Sequence, residues 1–293
     1  TSLDMPELHA ELLHKYRQKT FRLKSDLRLR SKEDALRFVN ERGFVYFWPI
    51  KGITFPSLWT AVVGNRPVAD AHDDPGHVTW GWKDQMLDKR QWYYGKIILG
   101  KATMIAMEMA PYFYALTENY GDPENDYLQL YDDGLLSREA KMIYEALLRE
   151  GPLDTVTMRR VVHMTGKASN SPFERNLVSL QRDFKILPIG IAQAGAWRYS
   201  FIYDLLHRYY PELPQKARMI KRSEARMILV KRYFEAVGAT TAGDARKLFQ
   251  WPRLDMDRTL DRLVQDGHVE DGYQLEGARD EHLVAVQLLS FSY

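Results

Sequence analysis

Cysteine is absent from the 293 residues. Disulfides, zinc–thiolate centres and a thiol nucleophile are therefore excluded, and the absence agrees with a reducing compartment. No apolar run approaches the roughly 20 residues that a membrane-spanning helix needs. The opening stretch TSLDMPELHAELLHKYRQK holds no signal-peptide core. The expectation is a soluble, cytoplasmic protein with no membrane partner. Walker, GxGxxG and GxSxG motifs are missing, so phosphate-cradling loops and the serine-hydrolase elbow find no support. A strong excess of one charge is missing too. The 41 Lys/Arg stand against 39 Asp/Glu, a net charge of +2, so overall charge alone does not demand a polyanionic partner.

What is present is ordinary for a globular chain, with 45% hydrophobic and 27% charged residues. At roughly 100–200 residues per domain, the length suggests two or three units. The charge is unevenly placed. Lys15 to Arg42 holds ten Lys/Arg against four Asp/Glu, and Lys216 to Arg232 seven against one, whereas Glu118 to Asp133 has six acids and no Lys or Arg. Basic stretches can track phosphates even when the total is near neutral, and they also occur as solvated helix faces.

Three segments follow from the pattern: an aromatic-rich, helical and winged-helix-like N-terminal region, 1–134, a second winged-helix module, 135–215, and a third, 216–293. Residues 5–42 read as two helices, the second opened by Ser31 and Asp34 and ended by Gly43. Residues 97–117 read as a largely apolar helix that Pro111 must break or kink, and the acidic run after it as a separator. In 135–215, Ser137 and Gly151 bound one helix, and a short second helix covers 154–163. Ser171-Pro172-Phe173-Glu174 reads as the start of a third, with Phe173, Leu177, Leu180 and Phe184 on one face. Two strands around a Gly-containing turn then align Trp197, Tyr199, Phe201 and Tyr203 by alternation. The order repeats in 216–293: Ser223 and Thr241 read as caps, a third helix covers 254–266, and Asp271-Gly272 reads as a hairpin turn. Helix, helix, helix, hairpin is winged-helix order. The expected fold class is mainly α with small β-wings, in tandem winged-helix modules.

In such a module the third helix enters the major groove and the wing touches the flank. Arg175, Ser179 and Arg182, with Asn176 beside them, face away from the apolar stripe, and Arg198 sits near the hairpin tip. These residue types reach base edges and phosphates, so they are the candidate nucleic-acid-binding residues and duplex DNA the candidate partner. Arg258 and Arg262 of the last module are crowded by Asp255, Asp257 and Asp261. Winged helices also dock proteins, which leaves an interaction scaffold open. The N-terminal aromatics offer a base pocket, with Tyr46, Trp48, Trp80 and Trp82 as its candidate walls; a packed core explains them equally. His72-Asp73-Asp74-Pro75-Gly76-His77 contains metal-ligand side chains, but Asp-Pro-Gly is also turn chemistry. No metal and no cofactor is expected. Asp73 and Asp74 remain alternative candidates for activating a water.

The runs YDLLHRYYPE, SEARMILVKRYFEAVGATTAGDARKLFQW and LDRLVQDGHVE, with the RNLVSLQRDFKI helix, resemble the bacterial winged-helix DNA glycosylases of the AlkZ/YcaQ type over most of 135–270. The resemblance implies tandem winged helices around duplex DNA and excision of alkylated bases or unhooking of crosslinks. The family's catalytic motif is a Gln, a hydrophobic residue, then Gln or Asp, on a Gly-aromatic-Val-Gln-x-Asp segment. The corresponding segment is Gly43-Phe44-Val45-Tyr46-Phe47-Trp48, so Tyr46 and Trp48 stand where the polar pair belongs. Neither activates water well near neutral pH, and the catalytic role is not carried over. Alternation places Tyr46 and Trp48 on one strand face. An active glycosylase or other nucleic-acid enzyme using the aromatic pocket is the alternative. Oligomeric state is not legible.

Overall fold

The computed structural model describes residues 4–195 and 198–292. The chain is mainly helical with small sheets and divides into two compact units. One comprises Thr1–Trp82, Met104–Met109 and Arg222–Tyr293, the other Lys83–Thr103 and Ala110–Lys221. Among the described residues, no helix is long and apolar enough to cross a membrane.

In the second unit, local chemistry sets each boundary. The Ser137 hydroxyl accepts the Ala140 N–H at 3.0 Å and opens helix Arg138–Glu150, which Gly151 ends at φ 87°. Such a cap contributes about 1 kcal/mol. Ile143, Tyr144 and Leu147 of this helix are buried. Strand Leu153–Asp154 follows, and the Asp154 carboxylate accepts the Thr157 N–H at 3.0 Å to start helix Thr155–Val161. Helix Asn170–Arg182 then buries Phe173, Leu177 and Leu180, each at 1% exposure or less. Burying each of these side chains contributes roughly 1.5–3 kcal/mol.

This helix begins earlier than the Ser171-Pro172 pattern predicts. A 3₁₀ turn, Lys167–Ser169, leads straight into it, and Ser169 already has helical dihedrals. Ser171 therefore lies in the first turn, and its hydroxyl accepts from Arg175 at 3.1 Å. Strands Ile186–Ala192 and Ser200–Leu205 pair antiparallel, with Leu153–Asp154 on the far side of Ser200–Leu205. Tyr199, Phe201 and Tyr203 share a face, at 5.8 and 6.1 Å between successive rings; Trp197 lies outside the described residues.

The same element order recurs in the first unit. Helix Arg222–Val237, strand Ala239–Thr240, helix Ala242–Phe249 and helix Arg253–Gln265 precede strands Val269–Leu275 and Glu281–Ala285. Thr241 caps the second helix by accepting the Asp244 N–H. Two expectations are corrected. Ser223 lies inside the first turn of a helix that starts at Arg222. Asp271-Gly272 is not a hairpin turn: Val269–Leu275 runs through it, and the register slips there, with Glu270 opposite Val284 and Tyr273 opposite His282. Gly272, at φ 77°, is spent on a bulge, and the turn falls at 276–280 around Gly277 at φ 79°.

The N-terminal strand Glu7–Leu8 pairs parallel to Val269–Leu275 and completes the sheet order Glu7–Leu8, Val269–Leu275, Glu281–Ala285, Ala239–Thr240. Helix Ala10–Thr20 follows, and its Arg17 donates to the carbonyls of Val237 and Ala239 at 2.8 and 2.9 Å. Helix Lys32–Arg42 is opened by Ser31, which accepts from Asp34, and closed by Gly43 at φ 87°.

The expected helix over 97–117 is also corrected. Ile98–Gly100 is a single 3₁₀ turn with Leu99 and Gly100 at positive φ, strand Ala102–Ala106 follows, and only Ala110–Ala115 is α-helical. The Thr103 hydroxyl accepts the Ile98 N–H at 3.3 Å and tightens that turn. Pro111 is the second residue of its short helix, where no N–H partner is required. The acidic run is not a bare separator, since helix Asp126–Asp132 buries Tyr127 and Leu130.

Candidate nucleic-acid interface and aromatic shelf

Helix Asn170–Arg182 presents its polar stripe to solvent: Arg175, Ser179 and Arg182 are exposed while Phe173, Leu177 and Leu180 are buried. One flank is covered by the Ile98–Gly100 turn, and a Cβ at Gly100 would lie 3.0 Å from Val178. Buried Gln181 accepts the Lys96 N–H at 3.0 Å. The polar stripe is thus held by contacts on its buried side and on one flank. Arg175 donates to the Ser171 hydroxyl at 3.1 Å. Burial raises the pKa of the Asp183 carboxyl, and Arg182 lies close enough to oppose that larger effect in part.

Asn176 is placed differently. Its carbonyl oxygen accepts the Ser137 hydroxyl at 2.6 Å and its amide donates to the Pro172 carbonyl at 2.7 Å. Both ends of the amide are occupied within the unit, so Asn176 joins two helices.

The structure adds Arg160 and Lys167, both exposed beside this helix in sequence. From Arg159 to Arg182 there are five Lys/Arg and one acid, Glu174. Helix boundaries divided this basic run, and a plain count over MRRVVHMTGKASNSPFERNLVSLQR would have found it. Arg159 braces the connection by donating to the carbonyls of Met164 at 2.7 Å and Gly166 at 3.1 Å. Arg198 is exposed on the turn between the two strands, at φ 50°.

The helix Arg253–Gln265 has its charge compensated in place. Asp257 lies 2.7 Å from Arg246 and 3.7 Å from Arg253, Asp255 lies 3.4 Å from Arg226, and Asp266 lies 3.9 Å from Arg262.

In the first unit, the Gly43–Trp48 segment is an aromatic edge. Strand Phe44–Tyr46 is wholly buried. Phe44 stacks on Phe55 at 5.3 Å, and Tyr46 meets the same ring edge-on at 5.8 Å. The strand ends at Tyr46 and the chain bends, so alternation does not carry through to Trp48. Trp48 joins another group: Phe47 at 5.3 Å, Trp80 at 6.1 Å and His77 at 6.3 Å. Trp80 is 38% exposed and Trp82 is buried. Of the four candidate pocket walls, Trp48 and Trp80 adjoin on a shelf, while Tyr46 packs on Phe55 and Trp82 is enclosed.

The loop beside the shelf is organised by Trp59. Its indole N–H donates to the Arg66 carbonyl at 3.0 Å, and the Arg66 guanidinium lies 4.9 Å from its ring centroid. Arg66 donates to Asp74 at 2.7 Å, and Asp74 also accepts the Gly76 N–H at 2.8 Å. The Arg66 bond, then the Gly76 bond, hold the Asp74 carboxyl below its usual range. That makes Asp74 a loop anchor and a poor base. His77 Nε2 lies 2.7 Å from the Ala69 carbonyl, while His72 and Asp73 are exposed. Among the described residues, no three His, Asp or Glu side chains gather as a metal site.

Comparison with solved structures finds the same fold in the Streptomyces sahachiroi DNA glycosylase AlkZ. The TM-score is 0.61 at 11% identity, covering 97% of this chain and 71% of that one. At that identity the likeness is one of fold. No curated protein matches the sequence. Residues 29–250, well over half of the chain, match the AlkZ-related family. On that match, the chain belongs to the AlkZ-related family.

Proposed function

We propose that this protein binds duplex DNA through winged-helix modules at 135–215 and 216–293, which follow the region 1–134. In this reading it lacks the standard chemistry of the glycosylases it is related to, and uses no cofactor. The element order strand, helix, helix, hairpin after an opening helix, present in both units, supports the module reading. The observation that carries DNA binding is the exposed face of Arg175, Ser179 and Arg182, with exposed Arg160 and Lys167 preceding it in the chain. Arginines so placed contact phosphates and base edges. The helix Arg253–Gln265 is a weaker candidate because its arginines have carboxylate neighbours.

Loss of the standard chemistry rests on the Gly43–Trp48 segment. A glycosylase must orient a water and offset oxocarbenium charge. A buried tyrosine and an indole at the two motif positions supply neither. The test is duplex binding across a salt series together with a base-release assay on N7-alkylguanine and N3-alkyladenine duplexes. Salt-sensitive binding without release supports the proposal; salt-insensitive binding points to a protein-interaction scaffold.

One observation favours a second reading as a nucleic-acid enzyme. Trp80 is exposed and backed by Trp48 and Phe47, so an unpaired base could stack there, with Asp73 as the nearby exposed carboxylate in the chain. Base release by the unmodified protein would select that reading.

A further inference from the structure

Lys83 is 2% exposed, and a buried ammonium is retained only where its surroundings compensate it. Here the surroundings are specific. Its Nζ donates to the Tyr199 hydroxyl at 3.3 Å and lies 3.4 Å from Asp84 Oδ1. The same hydroxyl donates to Asp84 Oδ1 at 2.8 Å. The ring of Phe201 lies 4.8 Å from the ammonium, with Tyr94 at 5.6 Å and Tyr199 at 5.9 Å. Burial lowers the Lys83 pKa to about 8 against the attraction of Asp84. A hydrophobic side chain of similar size would fill this volume without that cost. A buried polar group kept at such a position acts best by fixing one arrangement.

What it fixes is the backbone where Arg198 leads into a strand. Tyr199 directly precedes strand Ser200–Leu205 and directly follows Arg198, which is exposed and held at φ 50°. The Arg198 N–H donates to the Gly195 carbonyl at 3.2 Å, and a Cβ at Gly195 would lie 3.0 Å from Val156. With the Tyr199 phenol anchored inward, Arg198 is directed outward. We propose that Tyr199 is a positioning residue: its hydroxyl, gripped by Lys83 and Asp84, latches the entry to strand Ser200–Leu205 so that Arg198 meets a DNA phosphate at the flank of the site. This rests on the duplex-binding reading above.

The experiment compares the full-length protein with Tyr199→Phe, Arg198→Ala and the double variant. Two readouts are taken: duplex affinity across a salt series, and amide exchange at residues 198–200. Tyr199→Phe removes one hydroxyl and keeps the ring. It should raise exchange several-fold at these amides and lower the log–log salt slope by about one, as Arg198→Ala does. The double variant should bind like either single variant, because both act on one contact. Lys83→Met should reproduce the loosened exchange. Unchanged exchange in Tyr199→Phe overturns the latch whether or not DNA binds. Additive losses, or an unaltered slope in Tyr199→Phe, overturn the link to Arg198. Raised exchange in a protein that never binds duplex would leave the latch and remove the DNA reading.

Discussion

The backbone of Gly76 lies against the indole of Trp59, so closely that a Cβ at position 76 would fall 2.3 Å from a ring carbon. Asp74 anchors the Gly76 N–H, and Arg66 holds both Asp74 and the Trp59 indole N–H through its side chain and carbonyl. Gly76→Ala should therefore destabilise the protein by about 1–3 kcal/mol, the range for forcing extra atoms into a packed site. Chemical denaturation reads this directly. A midpoint equal to that of the unmodified protein would mean that the ring yields freely and that the loop is not built on Trp59.

Arg175 and Arg182 stand on the exposed stripe of helix Asn170–Arg182. Alanine at either position should weaken duplex binding and lower the log–log salt slope by roughly 0.9 if it touches one phosphate. The measurement is fluorescence anisotropy between about 50 and 200 mM salt, the range where phosphate contacts change affinity most visibly. Slopes that stay at the unmodified value in the double variant would assign this helix to packing alone.

Asn176 gives a contrasting expectation. Its amide bridges Ser137 and Pro172, so Asn176→Ala should lower stability by about 1 kcal/mol and leave the salt slope intact. A reduced slope with an unchanged melting temperature would instead return Asn176 to the DNA surface.

Lys83 makes stability depend on pH in a defined window. Folding lowers its pKa to about 8, whereas an unfolded lysine titrates near 10.4. Below 8 both states carry the proton, and the group contributes no slope. Above 8 the folded state releases it first, so stability rises with pH until the unfolded lysine titrates. Relative to Lys83→Met, the unmodified protein should gain up to about 1.4 kcal/mol per pH unit between pH 8 and 9.5. Urea midpoints of the two proteins at three pH values suffice, and parallel curves would count against a Lys83 pKa lowered by burial.

The protein should release no N7-alkylguanine or N3-alkyladenine from duplex DNA under conditions where it binds. Tyr46→Gln should also lower the melting temperature, since an amide would replace a ring packed edge-on against Phe55. Robust release by the unmodified chain would refute the loss of chemistry.

Short-range signals were the most legible part of the fold. Ser137, Gly151, Ser31 and Thr241 bound their helices as their residue types suggest, because a cap is satisfied within three or four residues. Expectations failed where the chain carried two compatible local readings. The apolar run 97–117 suits helix and strand alike, and Asp271-Gly272 suits a turn and a bulge alike. Tyr46 and Trp48 would share a face only in a longer strand than Phe44–Tyr46. The Lys83–Tyr199 contact joins residues 116 positions apart, and no local pattern reports such a pair.

The two-residue strand Glu7–Leu8 protects a sheet border. The Gln274 N–H donates to the Pro6 carbonyl at 3.0 Å and the Glu276 N–H to the Leu8 carbonyl at 2.9 Å. Without residues 4–8, these donors would line an unpaired margin of Val269–Leu275, the kind of template to which a strand from another copy adds. A shortened chain should therefore self-associate as its concentration rises while its remaining fold persists, so that a few N-terminal residues govern colloidal behaviour out of proportion to the area they bury.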